Sequence, residues 1–239
     1  MFKRSGTTLT SAVKLTTIVD PSSVITEQIK TIRTNINFAA TDHKLRTIMV
    51  TSATLGEGKS TISGNLAVEY ANEGLNVLLV DADLRRPTIH KTFGLTNRVG
   101  LSSCLGRQTR NINEAIHHQT VDNLVVMTSG PKPPNPAELL GGKMMDEFLN
   151  SETRQFDLVI IDAPPILPVT DSQLLANKVD GTVLVVRENV AQKAAVKEAV
   201  KALKRSHATI LGVVLNDVSD GHHNGYYGYS NGYYSDEER

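Results

Sequence analysis

Short runs of Val, Ile and Leu alternate along this chain with longer stretches whose apolar residues recur every three or four positions. The runs fall at residues 46–52 (RTIMVTS), 76–81 (NVLLVD), 124–127, 157–162 (DLVIID), 181–186 (GTVLVV) and 209–216 (TILGVVLN). Near-continuous aliphatic runs predict strands buried on both faces, as in a parallel sheet covered by helices. Helical spacing fills the gaps at 58–72, 136–150, 171–177 and 191–205. A further helix is predicted before the first strand, about 22–40, with Ile25, Ile29, Ile32 and Ile36 on one stripe. This alternation predicts an α/β fold: a doubly wound, mostly parallel sheet with helices on both faces. Residues 1–21 read as a flexible N-terminal segment and 22–216 as the folded domain. Residues 217–239 (DVSDGHHNGYYGYSNGYYSDEER) contain no Leu or Ile and read as a disordered Tyr/Gly-rich tail.

Composition narrows the class. The 239 residues suffice for one large α/β domain, and 40% hydrophobic residues suffice for its core. With 25 basic and 25 acidic residues, no overall field draws the chain to nucleic acid, and no nucleic-acid partner is expected. The lone Cys104 cannot form an internal disulfide, which suits a reducing cytosol. The first residues, MFKRSGTTLTSAVKL, lack a secretory apolar core, and no stretch approaches the ~20 apolar residues that cross a bilayer. The expected location is cytoplasmic, with any membrane attachment supplied by a partner.

The chemistry begins where the first strand ends. RTIMVTS runs into Ala53-Thr54-Leu55-Gly56-Glu57-Gly58-Lys59-Ser60-Thr61 and then a helix. This is a phosphate-binding loop with Ala53 in place of the usual first glycine. Gly56, Glu57 and Gly58 bring backbone N–H groups toward phosphate oxygens, with Thr61 at the helix start behind them. Lys59 offers a point charge for the terminal phosphates, and Ser60 a hydroxyl for Mg²⁺. ATP and Mg²⁺ are therefore the expected cofactors. Two further strands end in acids: LLVDAD in Asp81 and Asp83, and DLVIIDAPP in Asp162. Carboxylates at the C-terminal ends of parallel strands face the ligand crevice, and a hard cation takes oxygen donors. A single acid at such a position is as often a helix cap. Two of them beside this loop point to a metal set of Ser60, Asp81 and Asp162.

ATLGEGKST, LLVDADLRRP, DLVIIDAPP and SGPKPPNPAELL, in that order, resemble the bacterial tyrosine kinases. The resemblance is to the separate cytoplasmic subunits of capsule and exopolysaccharide clusters, of CpsD/CapB type, within the ParA/MinD-like clan of P-loop NTPases. It spans about residues 22–216 and the tail. It implies an ATP-dependent protein-tyrosine kinase that autophosphorylates its C-terminal tyrosines, between subunits, and regulates polysaccharide synthesis and export. Lys59, Asp81, Asp83 and Asp162 would be catalytic, and Asn216, at the end of the last strand, would contact adenine. Asp83 could accept the proton of an attacking phenol. The ATPase-switch members of the clan carry an early loop lysine where this chain has Thr54. That departure speaks against the alternative reading, a ParA/MinD-like ATPase switch without protein phosphorylation.

Five of the six tyrosines, Tyr226, Tyr227, Tyr229, Tyr233 and Tyr234, lie in the tail and are the expected acceptors. Glu27, Lys30 and Arg33 recur every three residues on the first helix. As sequence they are an intrahelical charge pattern; the resemblance implies a subunit interface of a ring, with Lys30 where the family carries arginine. It also implies a membrane-spanning activator of the polysaccharide co-polymerase type and a cognate phosphotyrosine phosphatase. Arg85 and Arg86 are left open between phosphate binding and holding the loop.

Overall fold

The computed structural model of the chain describes residues 15–40, 44–109 and 111–219. Two helices, α1 (Thr16–Val19) and α2 (Val24–Ala39), precede strand β1 (Thr47–Ser52) and helix α3 (Lys59–Asn72). Strand β2 (Val77–Asp81) leads to the short helices α4 (Ile89–Thr92) and α5 (Leu101–Leu105), and then to β3 (Ile116–His118) and β4 (Leu124–Met127). Helices α6 (Pro136–Gly141) and α7 (Lys143–Gln155) precede β5 (Leu158–Asp162). The chain closes with α8 (Asp171–Ala176), β6 (Gly181–Arg187), α9 (Lys193–Arg205) and β7 (Ile210–Asn216).

The seven strands form one sheet in the order β3-β4-β2-β5-β1-β6-β7. All neighbours pair in parallel except β3 with β4. The fully buried β1, β2, β4 and β5 are the aliphatic runs, as a parallel sheet clad on both sides requires. Side chains of β2 and β5 divide between two cores. Leu78, Val80, Val159 and Ile161 face the layer containing α5, α7, α8 and α9; Leu79 and Ile160 face α2 and α3.

Helix α3 is wedged between the sheet and the N-terminal helices, with eleven of its fourteen residues buried. This corrects the reading of residues 15–21 as flexible. Leu15 is buried against Gly64, and Thr17 donates from its N–H (3.1 Å) and hydroxyl (2.9 Å) to Asn65 Oδ1. Burying one leucine contributes ~1.5–3 kcal/mol, and with the two Asn65 hydrogen bonds it offsets part of the cost of ordering the segment. Ser23 then caps α2, its Oγ accepting from Thr26 N at 3.2 Å. The tail's first residues are also placed: Asp217 pairs with Arg187, and Ser219 donates to Glu188. Tyr226, Tyr227, Tyr229, Tyr233 and Tyr234 lie outside the described residues.

The helix predicted at 136–150 divides at Gly142, whose extended backbone (φ −75°, ψ 166°) ends α6 and starts α7. Strand β3 was not predicted, because three residues, two of them histidines, carry no alternating pattern. Among the described residues, no helix is long and apolar enough to cross a membrane.

Candidate active site

Three neighbouring strands deliver the site. β1 runs into the glycine loop, and β5 and β2 flank it with Asp162 and Asp81, which are in register with one another. Gly56 (φ 80°) and Gly58 (φ 89°) take left-handed backbone that side chains resist, and Gly58 leads directly into α3. The first amides of a helix have no intrahelical acceptor and so offer an anion site. Glu57 steadies the turn from within. It is fully buried, and its Oε1 accepts from Thr54 N (2.6 Å) and Thr54 Oγ1 (2.7 Å). Thr54, standing where the clan's switch proteins carry lysine, is thus a strut of the loop.

Lys59 sits among carboxylates. Its Nζ lies 3.0 Å from Asp83 Oδ2 and 3.7 Å from Asp162 Oδ2. Burial works against its charge, but Asp162 and Asp83 outweigh burial and hold its pKa above the ordinary lysine value. Ser60 Oγ donates to Asp162 Oδ2 at 2.5 Å, a short bond as expected for hydroxyl to carboxylate. Burial pushes Asp162 upward, against the pull of Lys59 and Ser60. Burial, and then the charge of Asp162, push Asp81 well above the usual carboxylate range.

The residues fit Mg²⁺. Asp162 Oδ1 is buried and has no hydrogen-bond partner, and the Ser60 hydroxyl lies on the same carboxylate. Among the described residues, no three acidic, His or Cys side chains form a ready-made cage. That is the pattern of a cation taken up by one or two protein oxygens together with substrate phosphates and water. Asp81, expected in the same set, is also tied to its own loop. Its Oδ1 accepts from Asp83 N (3.2 Å), and its Oδ2 from Thr88 N and Ile89 N (both 3.1 Å). It anchors the loop after β2.

Several other sequence expectations resolve. Asp83 Oδ1 accepts from Arg86 N at 2.9 Å, so that loop folds around both of its acids. Arg85 holds the loop: it grips buried Asp171, at the start of α8, through Nε (2.9 Å) and Nη2 (3.0 Å). Asn216 reaches the glycine loop, its Nδ2 donating to Glu57 O at 3.0 Å. On α2, Lys30 pairs with Glu27 at 2.7 Å, both exposed, whereas Arg33 turns inward. Arg33 meets Glu73, just past the end of α3, at 2.5 Å and donates to Glu69 O, on α3, at 3.0 Å. Sequence reasoning missed Asp171, the Thr54–Glu57 strut and Arg187, whose Nη1 donates to Gly56 O at 3.3 Å. Nothing in their spacing signals these contacts.

Comparisons with known proteins agree with this geometry. A family model described as ParA, NUBPL iron-transfer P-loop NTPase, matches residues 44–220. The tyrosine-protein kinase YwqD of Bacillus subtilis is 45% identical over 213 residues, covering 88% of this chain and 90% of that protein. The putative tyrosine-protein kinase CapB of Staphylococcus aureus is 37% identical, covering 87% of this chain and 91% of that protein. Among solved structures, the chimerical protein CapA2B2 superposes with a TM-score of 0.81 at 38% identity, covering 86% of this chain and 92% of that one.

Proposed function

The chain belongs to the bacterial tyrosine-protein kinases, on the ParA-type P-loop fold, and from that premise we propose how its own residues carry the reaction. It is a protein-tyrosine kinase of the capsule and exopolysaccharide type. ATP is the phosphoryl donor and the C-terminal tyrosines are the acceptors. The observation that carries this reading is the closed circuit at the crevice: Lys59 between Asp83 and Asp162, and Ser60 on Asp162.

Lys59 exchanges its carboxylate partners for the terminal phosphates as ATP enters. That exchange releases Asp83, the acid nearest Lys59 Nζ at 3.0 Å, to accept the proton of the attacking phenol. The glycine-loop amides bind the phosphates, and Asn216 serves the loop and the adenine side together. Ser60 and Asp162 would hold Mg²⁺, supplying charge neutralisation on the phosphate oxygens.

The acceptor leaves from the rim of this site, because Asn216 touches the glycine loop and the tail follows it directly. Tyr226 lies ten positions beyond Asn216, a reach of at most ~33–36 Å, so a neighbouring subunit is accessible. Transfer between subunits of a ring is the favoured route. The exposed Glu27 and Lys30, with Val24, Ile25 and Phe38 on the same helix, supply the contact face. Arg33 braces that helix from behind. A membrane-spanning activator of the polysaccharide co-polymerase type recruits the kinase to the inner membrane face, and a cognate phosphotyrosine phosphatase resets the tail. The alternative of a nucleotide switch that modifies no protein is disfavoured by Thr54, which is bound to Glu57.

The test mixes a K59M chain carrying the tail with an intact-site chain lacking residues 220–239, in labelled ATP, Mg²⁺ and the activator's cytoplasmic segment. Phosphotyrosine at 226–234 of the K59M chain is the expected result. ATP hydrolysis without any phosphotyrosine would overturn the kinase reading in favour of the switch. Labelling of wild type alone, never of the K59M chain, would overturn transfer between subunits.

A further inference from the structure

Two consecutive peptide groups of the glycine loop are gripped from outside by their carbonyl oxygens. Arg187, the last residue of β6, donates from Nη1 to Gly56 O at 3.3 Å. Asn216, the last residue of β7, donates from Nδ2 to Glu57 O at 3.0 Å. In a trans peptide the C=O and the following N–H point in opposite directions, and the described residues contain no cis bond. Holding Gly56 O toward β6 therefore turns the Glu57 N–H away from β6. Holding Glu57 O toward β7 does the same for the Gly58 N–H. These are two of the amides that a phosphate needs converging in one direction.

The loop cannot enforce this by itself. Gly56 has open space where a Cβ would stand, and its φ of 80° is one that glycine leaves as freely as it enters. Arg187, in contrast, is held in place. Its Nε (2.8 Å) and Nη2 (2.7 Å) both donate to Asp217 Oδ2, leaving Nη1 for the loop. The guanidinium plane is rigid, so fixing one edge aims the other. Asp217 is itself fixed in left-handed backbone (φ 56°), opposite Asn189 (φ 59°) in the adjoining turn. Asn and Asp tolerate that region best among residues with side chains. Ser219 ties the two turns together, its N–H (2.6 Å) and Oγ (2.9 Å) donating to Glu188 Oε2.

We propose that Arg187, oriented by Asp217, is a positioning residue for the kinase reaction: it aims the Gly56–Glu57 peptide so that the loop amides face the phosphates. The proposal rests on the nucleotide-site reading given above. It also makes the first residue of the tyrosine-bearing segment a mechanical neighbour of the phosphate loop, because any displacement of Asp217 releases the arginine that holds Gly56.

Binding of a fluorescent ADP analogue to the full chain tests it, at low and high salt, with the nucleotide-free melting temperature measured beside it. R187A is expected to bind about tenfold more weakly, the loss of one charge-assisted hydrogen bond. Its melting temperature should stay within about 2 °C of wild type, since the Arg187 side chain is 41% exposed. D217N should weaken binding about threefold alone and not at all in the R187A background, the signature of one route rather than two. R187K keeps the charge but cannot fork, and should recover less than half of the loss on a logarithmic scale. Full recovery by R187K would overturn positioning in favour of simple charge attraction, as would a loss that vanishes at high salt. R187A binding as wild type does, or D217N acting equally in both backgrounds, would also overturn the proposal while leaving the nucleotide site standing. A wild-type chain that binds no ADP would instead remove the nucleotide-site reading beneath it.

Discussion

Replacing Gly58 with alanine perturbs the loop in two separable ways. The residue sits at φ 89°, ψ 13°, and a Cβ there would lie 2.1 Å from Asn216 Nδ2 and 3.2 Å from Asn216 Cγ. Left-handed backbone costs an alanine ~1–2 kcal/mol. The collision is relieved only if Asn216 swings aside and gives up its 3.0 Å bond to Glu57 O, a further ~0.5–1.5 kcal/mol. The expected destabilisation of the nucleotide-free protein is thus about 1.5–3.5 kcal/mol, a fall of roughly 3–14 °C in melting temperature for a domain of this size. Asn216→Ala alone should cost about 0.5–1.5 kcal/mol. In the G58A background it should cost almost nothing, because the bond is already lost and the truncated side chain makes room for the methyl group. Urea unfolding of wild type, both single variants and the double variant closes the cycle, with an expected coupling of about 0.5–1.5 kcal/mol. Strictly additive effects, or a G58A protein within 0.5 kcal/mol of wild type, would refute the assignment of Asn216 to the loop.

Three further outcomes follow from the buried charges. Asp162→Asn removes one of the carboxylates crowded around Lys59, so it should abolish tail phosphorylation yet raise nucleotide-free stability by about 0.5–2 kcal/mol; a lower melting temperature would contradict this. Asp81 and Asp162 both have folded-state pKa values raised by burial above the ordinary 3.8, so the folded state binds more protons than the unfolded one. These two groups therefore contribute stability that is present below the ordinary carboxylate value and is lost as pH rises through their folded-state values, a slope that D162N should flatten in pH-dependent thermal melts. Arg85→Ala leaves fully buried Asp171 unpaired; discounted for the 38% exposure of the arginine, the cost is about 1–3 kcal/mol in urea unfolding, and Arg85→Lys should recover only part of it.

The sheet and the loop were readable in advance because each is encoded locally. Aliphatic runs such as VLLVD and LVIID specify two-sided burial by themselves, and a glycine loop between a strand and a helix is recognisable from its composition and place. What could not be read depends on partners far away in sequence. Asp81 stands at a strand end, but its sequence context does not show that Thr88 and Ile89 donate to it. Arg33 looks like a surface charge until Glu69 and Glu73 are seen beneath it. Nothing in the sequence around Asn216 announces that β7 brings it against the glycine loop. Leu15 escaped notice for a similar reason: one leucine among polar residues has no periodicity, yet it finds the space left open by Gly64. The break at Gly142 was visible as a Gly-Gly pair, but flanking helical spacing on both sides concealed it.

The strand order has a consequence for how this protein comes into being. β5 lies between β1 and β2, although it is translated after both. A nascent chain that has emerged only through α7 holds a glycine loop and Asp81 on strands with an empty lane between them, and no Asp162. The inserting strand therefore arrives last at the centre of the sheet, and Asn216 arrives later still. On the function proposed above, synthesis completes the donor site only when the tyrosine-bearing segment is itself about to emerge, so donor and acceptor are delivered almost together.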